Sequence, residues 1–179
     1  KELRLSLAHF EEVTDEAIAD LAKGLPAGLL DLSLSFEGCM HVSDRALQHL
    51  AKGLQHCPHL QNLSLDFLGC KHISDLGLEA LARGIPPSLQ KLRFDFAKCH
   101  KVGIEGASSL LHHIPSGLRE FSCTFKGTLI DRNFDSLAEF RQFTRGHGES
   151  PSDHHGGPRL GLSRSQSGLV KSWSKGLFG

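Results

Sequence analysis

A chain of 179 residues has room for one ordinary domain or one short repeat array, and 20 basic residues balanced by 20 acidic ones exclude the basic excess of a general nucleic-acid binder. No apolar run approaches the ~20 residues needed to span a bilayer, and the opening Lys1-Glu2-Leu3-Arg4 alternates charge with leucine, unlike a secretory leader. Five cysteines (Cys39, Cys57, Cys70, Cys99 and Cys123) are odd in number and periodic in placement, which argues for buried reduced thiols in a cytoplasmic or nuclear protein rather than a disulfide framework.

Read from its first residue, the chain repeats itself five times. The segment LRLSLAHFEEVTDEAIADLAKGL opens at Leu3. Fuller copies begin at Leu29 (LLDLSLSFEGCMHVSDRALQHLAKGL), Leu60 (LQNLSLDFLGCKHISDLGLEALARGI) and Leu89 (LQKLRFDFAKCHKVGIEGASSLLHHI), and a last copy at Leu118 (LREFSCTFKGTLIDRNFDSLAEF). A marker residue, the first of the inner L-x-L-x-F, falls at Leu3, Leu32, Leu63, Leu92 and Phe121, at steps of 29, 31, 29 and 29 residues. The longer step is taken up by Gln55-His56-Cys57-Pro58, before the third strand. The chain begins inside a repeat, with Lys1 rather than Met, which reads as an N-terminally incomplete array, a fragment or a processed product.

Each copy carries two periods. The first is two: Leu63, Leu65 and Phe67 point one way while Ser64, Asp66 and Leu68 point the other, as in a strand with one buried face. The second is helical: Leu47, Leu50, Ala51 and Leu54 in one copy, and Leu78, Leu81, Ala82 and Ile85 in the next. Ser43-Asp44 and Ser74-Asp75 stand where helices are capped. Gly24, Gly53 and Gly84 are expected to close the helices in the left-handed conformation, with Pro26, Pro58, Pro86 and Pro115 stopping any extension. The sequon Asn62-Leu63-Ser64 falls within a strand and is discounted as a glycosylation site.

No single strand-plus-helix unit closes a core, so the units are expected to stack, strands forming a parallel sheet on the inner, concave side and helices covering the outside. A last helix bearing Phe134, Leu137, Phe140 and Phe143 is expected to close the array at residue 143. Residues 144–179 are rich in Gly and Ser, interrupted by Pro151 and Pro158, and read as a disordered tail. From Arg141 onward, six Lys and Arg face two acidic residues. Arg164-Ser165-Gln166-Ser167 has the pattern of a basophilic kinase acceptor, which makes Ser165 and Ser167 candidate phosphorylation sites.

The pattern L-x-x-L-x-L-x-F-x-x-C-x-x-[IV]-[ST]-D, followed by L-x-x-L-A, resembles the leucine-rich repeat superfamily over residues 1–143. The repeat length and helix are similar to the ribonuclease-inhibitor-like class, and Cys followed by Ile/Val-Ser-Asp is similar to the cysteine-containing class of F-box substrate receptors. This chain carries two residues more before the cysteine than the usual L-x-x-L-x-L-x-x-C/N. The resemblance implies an α/β solenoid of about five repeats with a parallel sheet on its concave face.

Catalytic, cofactor and metal sites are not expected. Cys39, Cys70 and Cys99 share one repeat position, near His41, His72 and His100, and would form a ladder at ~4.8 Å spacing. Phe10 occupies that position in the first copy, and a phenyl ring ligates no metal, so the ladder reads as core. The twelve histidines are scattered, and no phosphate loop, G-x-S-x-G or H-E-x-x-H is present. Geometry singles out instead the outward strand positions: Arg4 and Ser6; Ser33, Ser35 and Glu37; Ser64, Asp66 and Leu68; Arg93 and Asp95; Ser122, Thr124 and Lys126. Asp66 and Asp95 would be neighbours, with Arg93 close enough to relieve their repulsion. Function is therefore expected to be non-catalytic binding of a protein partner on the concave face, the partner and the oligomeric state being open. The resemblance also implies two alternatives: a substrate receptor of a ubiquitin ligase, although no F-box stretch is present, or an enzyme inhibitor or sensor.

Overall fold

A computed structural model of the chain describes residues 1–147. It is an α/β arrangement in which β1 (Glu2–Ser6), α1 (Asp15–Lys23), β2 (Asp31–Ser35), α2 (Asp44–Leu54), β3 (Asn62–Asp66), α3 (Asp75–Ala82), β4 (Lys91–Asp95), α4 (Ile104–His113) and β5 (Glu120–Thr124) alternate along the chain. A two-residue β6 (Asn133–Phe134) and α5 (Leu137–His147) follow. The sheet order is β1-β2-β3-β4-β5-β6, so each strand lies beside its sequence neighbour. The first five strands are parallel, and the marker residues Leu3, Leu32, Leu63, Leu92 and Phe121 are successive register partners. Among the described residues no helix is long and apolar enough to cross a membrane.

Period-two alternation drives this layout. Leu32, Leu34, Leu63, Leu65, Leu92 and Phe94 point toward the helices and are at most 2% exposed. Each such burial contributes about 1.5–3 kcal/mol. Beyond the strands, Phe36, Phe67, Phe96 and Phe125 stack ring on ring with centroids 5.5, 5.5 and 6.0 Å apart, a column running through the core. Phe140 of α5 continues it 6.1 Å from Phe125.

The helix starts are as the Ser-Asp pairs predict. Ser43 and Ser74 are N-caps whose hydroxyls accept from the N–H of Arg45 and Leu76, and Thr14 caps α1 in the same place. The glycines stand at or next to the helix ends, Gly24 as the C-cap of α1, but the left-handed conformation expected of them is not adopted. Gly24 has φ −83°, Gly53 lies inside α2, and none of Gly24, Gly53 and Gly84 has positive φ. Gly53 and Gly84 serve helix packing: a Cβ on Gly53 would lie 2.7 Å from the Ala22 carbonyl oxygen, and one on Gly84 only 2.4 Å from the Ala51 Cα. The left-handed position lies elsewhere, at the strand-end turn. His9, Gly38, Gly69, Lys98 and Gly127 are equivalent by repeat step and all have φ between 60° and 77°.

Phe134 is in a strand rather than in the last helix. The chain reverses at Asp131, whose carboxylate accepts the Gly127 N–H at 2.7 Å, and Phe125 N–H donates to the Arg132 carbonyl at 2.8 Å. This sets β6 antiparallel against β5 and delivers Phe134 edge-on to Phe125 and Phe140. Helix α5 runs four residues past Phe143, held by the buried Thr144, whose hydroxyl donates to the Phe140 carbonyl at 3.1 Å. Ser165 and Ser167 lie outside the described residues.

Candidate functional site: the open face of the sheet

One face of the sheet is covered by the helices and the other carries none of them. Parallel register turns equivalent side chains on that open face into straight rows, with neighbours ~4.8 Å apart. Arg4, Ser33, Ser64, Arg93 and Ser122 form one row. Ser6, Ser35, Asp66, Asp95 and Thr124 form the next. Glu37, Leu68 and Lys126 sit two residues further, past the strand ends, Leu68 half-buried and Lys126 exposed. Thus every residue singled out on the strands lies on this face.

A further row was not anticipated. Glu2, Asp31, Asn62, Lys91 and Glu120 precede the marker residues and share their face with Arg4 and its partners, and all but Glu2 line the same groove. Its members are partnered: Asn62 donates to Asp31, Lys91 pairs with Glu120 at 2.6 Å, and Glu2 pairs with Arg4 of the adjoining row. The alternation that identifies the outward positions extends one step earlier than the marker, and following it back exposes this row.

Asp66 and Asp95 form the charged centre of the face. Each accepts the backbone N–H two residues on, Leu68 at 3.0 Å and Ala97 at 2.8 Å, which closes the strand-end turn. Ser35 donates its hydroxyl to Asp66 at 2.9 Å. The expected relief by Arg93 is partial: its charge lowers the Asp95 carboxyl, but it forms no ion pair with either aspartate. Among the described residues neither aspartate has a Lys, Arg or His nitrogen within 4.0 Å, and Arg93 is exposed and unpaired. Arg93 stands one row away, and both carboxylates are already turned toward backbone donors. Burial raises the Asp95 carboxyl above its ordinary value, with Asp66 and Glu37 adding to the rise and the Ala97 N–H and the Arg93 charge opposing it. Glu37 has His9 3.6 Å away as its neighbour.

The cysteine ladder belongs to the core. The Cys39, Cys70 and Cys99 thiols donate to the carbonyls of Leu7, Phe36 and Phe67, each in the preceding repeat, at 3.1, 3.2 and 3.2 Å. Burial pushes the Cys99 thiol up to about 12 and Cys70 higher still, so neither offers a thiolate near neutral pH. One premise needs correction: Phe10 has the equivalent backbone position but is 60% exposed, so it does not fill the buried column. Among the described residues no three of His, Cys, Asp or Glu are placed to hold a metal ion.

The chain matches no known family model and no curated protein.

Proposed function

We propose that the chain is a leucine-rich repeat solenoid whose open, concave sheet face binds a protein partner without catalysis. The observation that carries this reading is the pair of adjacent carboxylates, Asp66 and Asp95, standing in a register-aligned row of small hydroxyl side chains with no cation within 4.0 Å among the described residues. Like charges side by side on a sheet cost stability, and each carboxylate keeps acceptor capacity beyond the backbone N–H that it takes to close its turn. A partner bringing a lysine or arginine to this row would relieve the repulsion and form charge-assisted hydrogen bonds. Ser33, Ser35, Ser64, Ser122 and Thr124 around it offer hydroxyl donors and acceptors on short side chains, so little rotamer freedom is lost on contact.

Two features support a recognition surface over a reaction centre. Among the described residues no histidine is hydrogen-bonded to the half-buried serines, and their one bond to a carboxylate is Ser35 to Asp66. Of the other charged residues around the groove, Lys91 pairs with Glu120 and Arg4 with Glu2, while Asp31 accepts from Asn62.

Affinity capture from extracts of the native source tests the reading. Wild-type protein is expected to recover a reproducible partner, and folded Asp66→Arg/Asp95→Arg protein to lose it. Equal recovery by both would count decisively against a concave-face site. Recovery is also expected to fall as salt is raised, since exposed charge pairs are screened within about 8 Å at physiological ionic strength.

A further inference from the structure

The turns that join each strand to its helix line up along one edge of the sheet. Parallel bridges between Thr14 and His41, Ser43 and His72, and Ser74 and Lys101 keep these turns in step beyond the strand ends. In-register stacking, at ~4.8 Å per strand, then brings equivalent turn residues side by side. By repeat step Met40, Lys71, His100 and Leu129 hold one position, and His41, His72 and Lys101 the next. Each of them is exposed.

The unpaired charges on this edge are mainly positive. Lys71, Lys98 and Lys101 are exposed, with Lys126 at the lip shared with the open face, and among the described residues none of the four has a carboxylate within 4.0 Å. Elsewhere Lys23 finds such a partner in Asp20, Arg83 in Glu79 and Lys91 in Glu120. The carboxylates near the strip are engaged by the backbone and the caps: Asp44 takes the Ser74 N–H and hydroxyl, Asp75 the Gly103 N–H and Asp131 the Gly127 N–H. Glu105, exposed in the first turn of α4, offsets one lysine. Glu11 and Glu12 stand at the equivalent positions of the first repeat, so the basic strip begins with the second.

Large apolar side chains are exposed on the same edge. Met40 is 40%, Leu76 68% and Leu129 75% exposed. Other repeats carry charge at these positions: Glu16, Arg45 and Glu105 where α3 has Leu76, and Glu11 and Lys71 where Met40 and Leu129 stand. Leu129 and Leu76 flank Gly103. A Cβ on that glycine would lie 3.4 Å from the Leu129 Cδ1, and its N–H goes to Asp75, the residue before Leu76. Met40 closes the other end of the strip.

We propose that this strand-to-helix edge is a peripheral docking surface for an anionic lipid bilayer. Lys71, Lys98 and Lys101 would meet headgroup phosphates and carboxylates, while Met40, Leu76 and Leu129 enter the boundary between headgroups and acyl chains. Charge complementarity names an anionic partner, and the apolar side chains choose among anions. A soluble polyanion gains nothing from burying them, whereas a bilayer does. A protein partner fits less well, because from the second repeat onward the described residues of this edge expose no Phe, Tyr or Trp to anchor one.

Co-sedimentation of the full chain with vesicles tests this, comparing phosphatidylcholine containing phosphatidylserine with phosphatidylcholine alone. The wild-type chain is expected to partition onto the anionic vesicles only, and less as salt is raised. Lys71→Glu/Lys101→Glu is expected to weaken partitioning by about tenfold or more, one basic residue at an anionic leaflet being worth about fivefold. Leu76→Gln/Leu129→Gln is expected to weaken it about fivefold with an unchanged thermal midpoint, since charged side chains occupy both positions in other repeats. No partitioning of the wild-type chain, or partitioning that survives both pairs of substitutions, would overturn the proposal. So would a loss confined to one pair: lysines alone would mark a contact for soluble polyanions, and leucines alone an apolar contact without charge.

Discussion

Lys98 and Gly69 occupy equivalent turns, with φ of 60° and 77°, and differ only in whether a Cβ must be carried through the left-handed region. That region costs a non-glycine residue about 1–2 kcal/mol, less the extra freedom glycine loses on folding. Lys98→Gly is therefore expected to stabilise by about 0.5–1 kcal/mol, and Gly69→Ala to destabilise by about 1 kcal/mol, although its methyl would meet nothing closer than 3.9 Å. Equilibrium denaturation reads both, and equal stability of the two variants would deny the backbone explanation. Asp95 makes a second residue-scale case. Its folded carboxyl sits above the ordinary value of 3.8, so the ionised form costs stability at neutral pH. That cost is fully present above the raised value and fades as pH falls from there toward 3.8. Asp95→Asn, which keeps an oxygen for the Ala97 N–H, is expected to melt higher than wild type at pH 7, the difference shrinking across that acidic window. A difference independent of pH would show that charge is not its cause.

At the scale of elements, neighbouring helices are tied by a carboxylate that reaches across the repeat boundary. Asp44 holds both the N–H and the hydroxyl of Ser74, whereas Asp75 holds only the N–H of Gly103, at 2.7 Å, because that cap lacks a side chain. Asp44→Ala is expected to cost about 2–3 kcal/mol, since it leaves a charge-assisted pair of donors without an acceptor. Gly103→Ser restores both the cap and the missing bond, and is expected to add about 0.5–1 kcal/mol in the same denaturation measurement. A neutral or destabilising Gly103→Ser would contradict the tie. The Ser-Asp pair was legible as a helix start because capping is local. The aspartate's second role was not, because it depends on a residue about 30 positions away. Gly53 and Gly84 were misread for a related reason: after Ala-Lys or Ala-Arg, the end of a helix and the crossing point of two helices ask for the same small residue. Only the contact with Ala22 or Ala51 tells them apart.

For the whole molecule, a regular spacing of 29 to 31 residues made the strand register readable before any contact was known, because a one-residue slip would turn every leucine outward. The open face followed from the same alternation, and the structure gathers its members into rows. The distribution of charge on that face was less readable. Whether Arg93 reaches Asp66 or Asp95 depends on side-chain direction and on the competing N–H groups of Leu68 and Ala97, neither of which spacing encodes. The closing strand β6 was missed because two residues carry no period. Partner binding at the open face is tested most directly by titrating the captured, purified partner against two folded variants of opposite placement. Asp66→Arg/Asp95→Arg is expected to weaken binding by tenfold or more, on the order of the 1.4 kcal/mol that a factor of ten represents, while Lys52→Glu/Arg83→Glu on the helical side leaves it within about twofold. Unchanged affinity for the first variant, or a loss confined to the second, would contradict a binding site on the open face of the sheet.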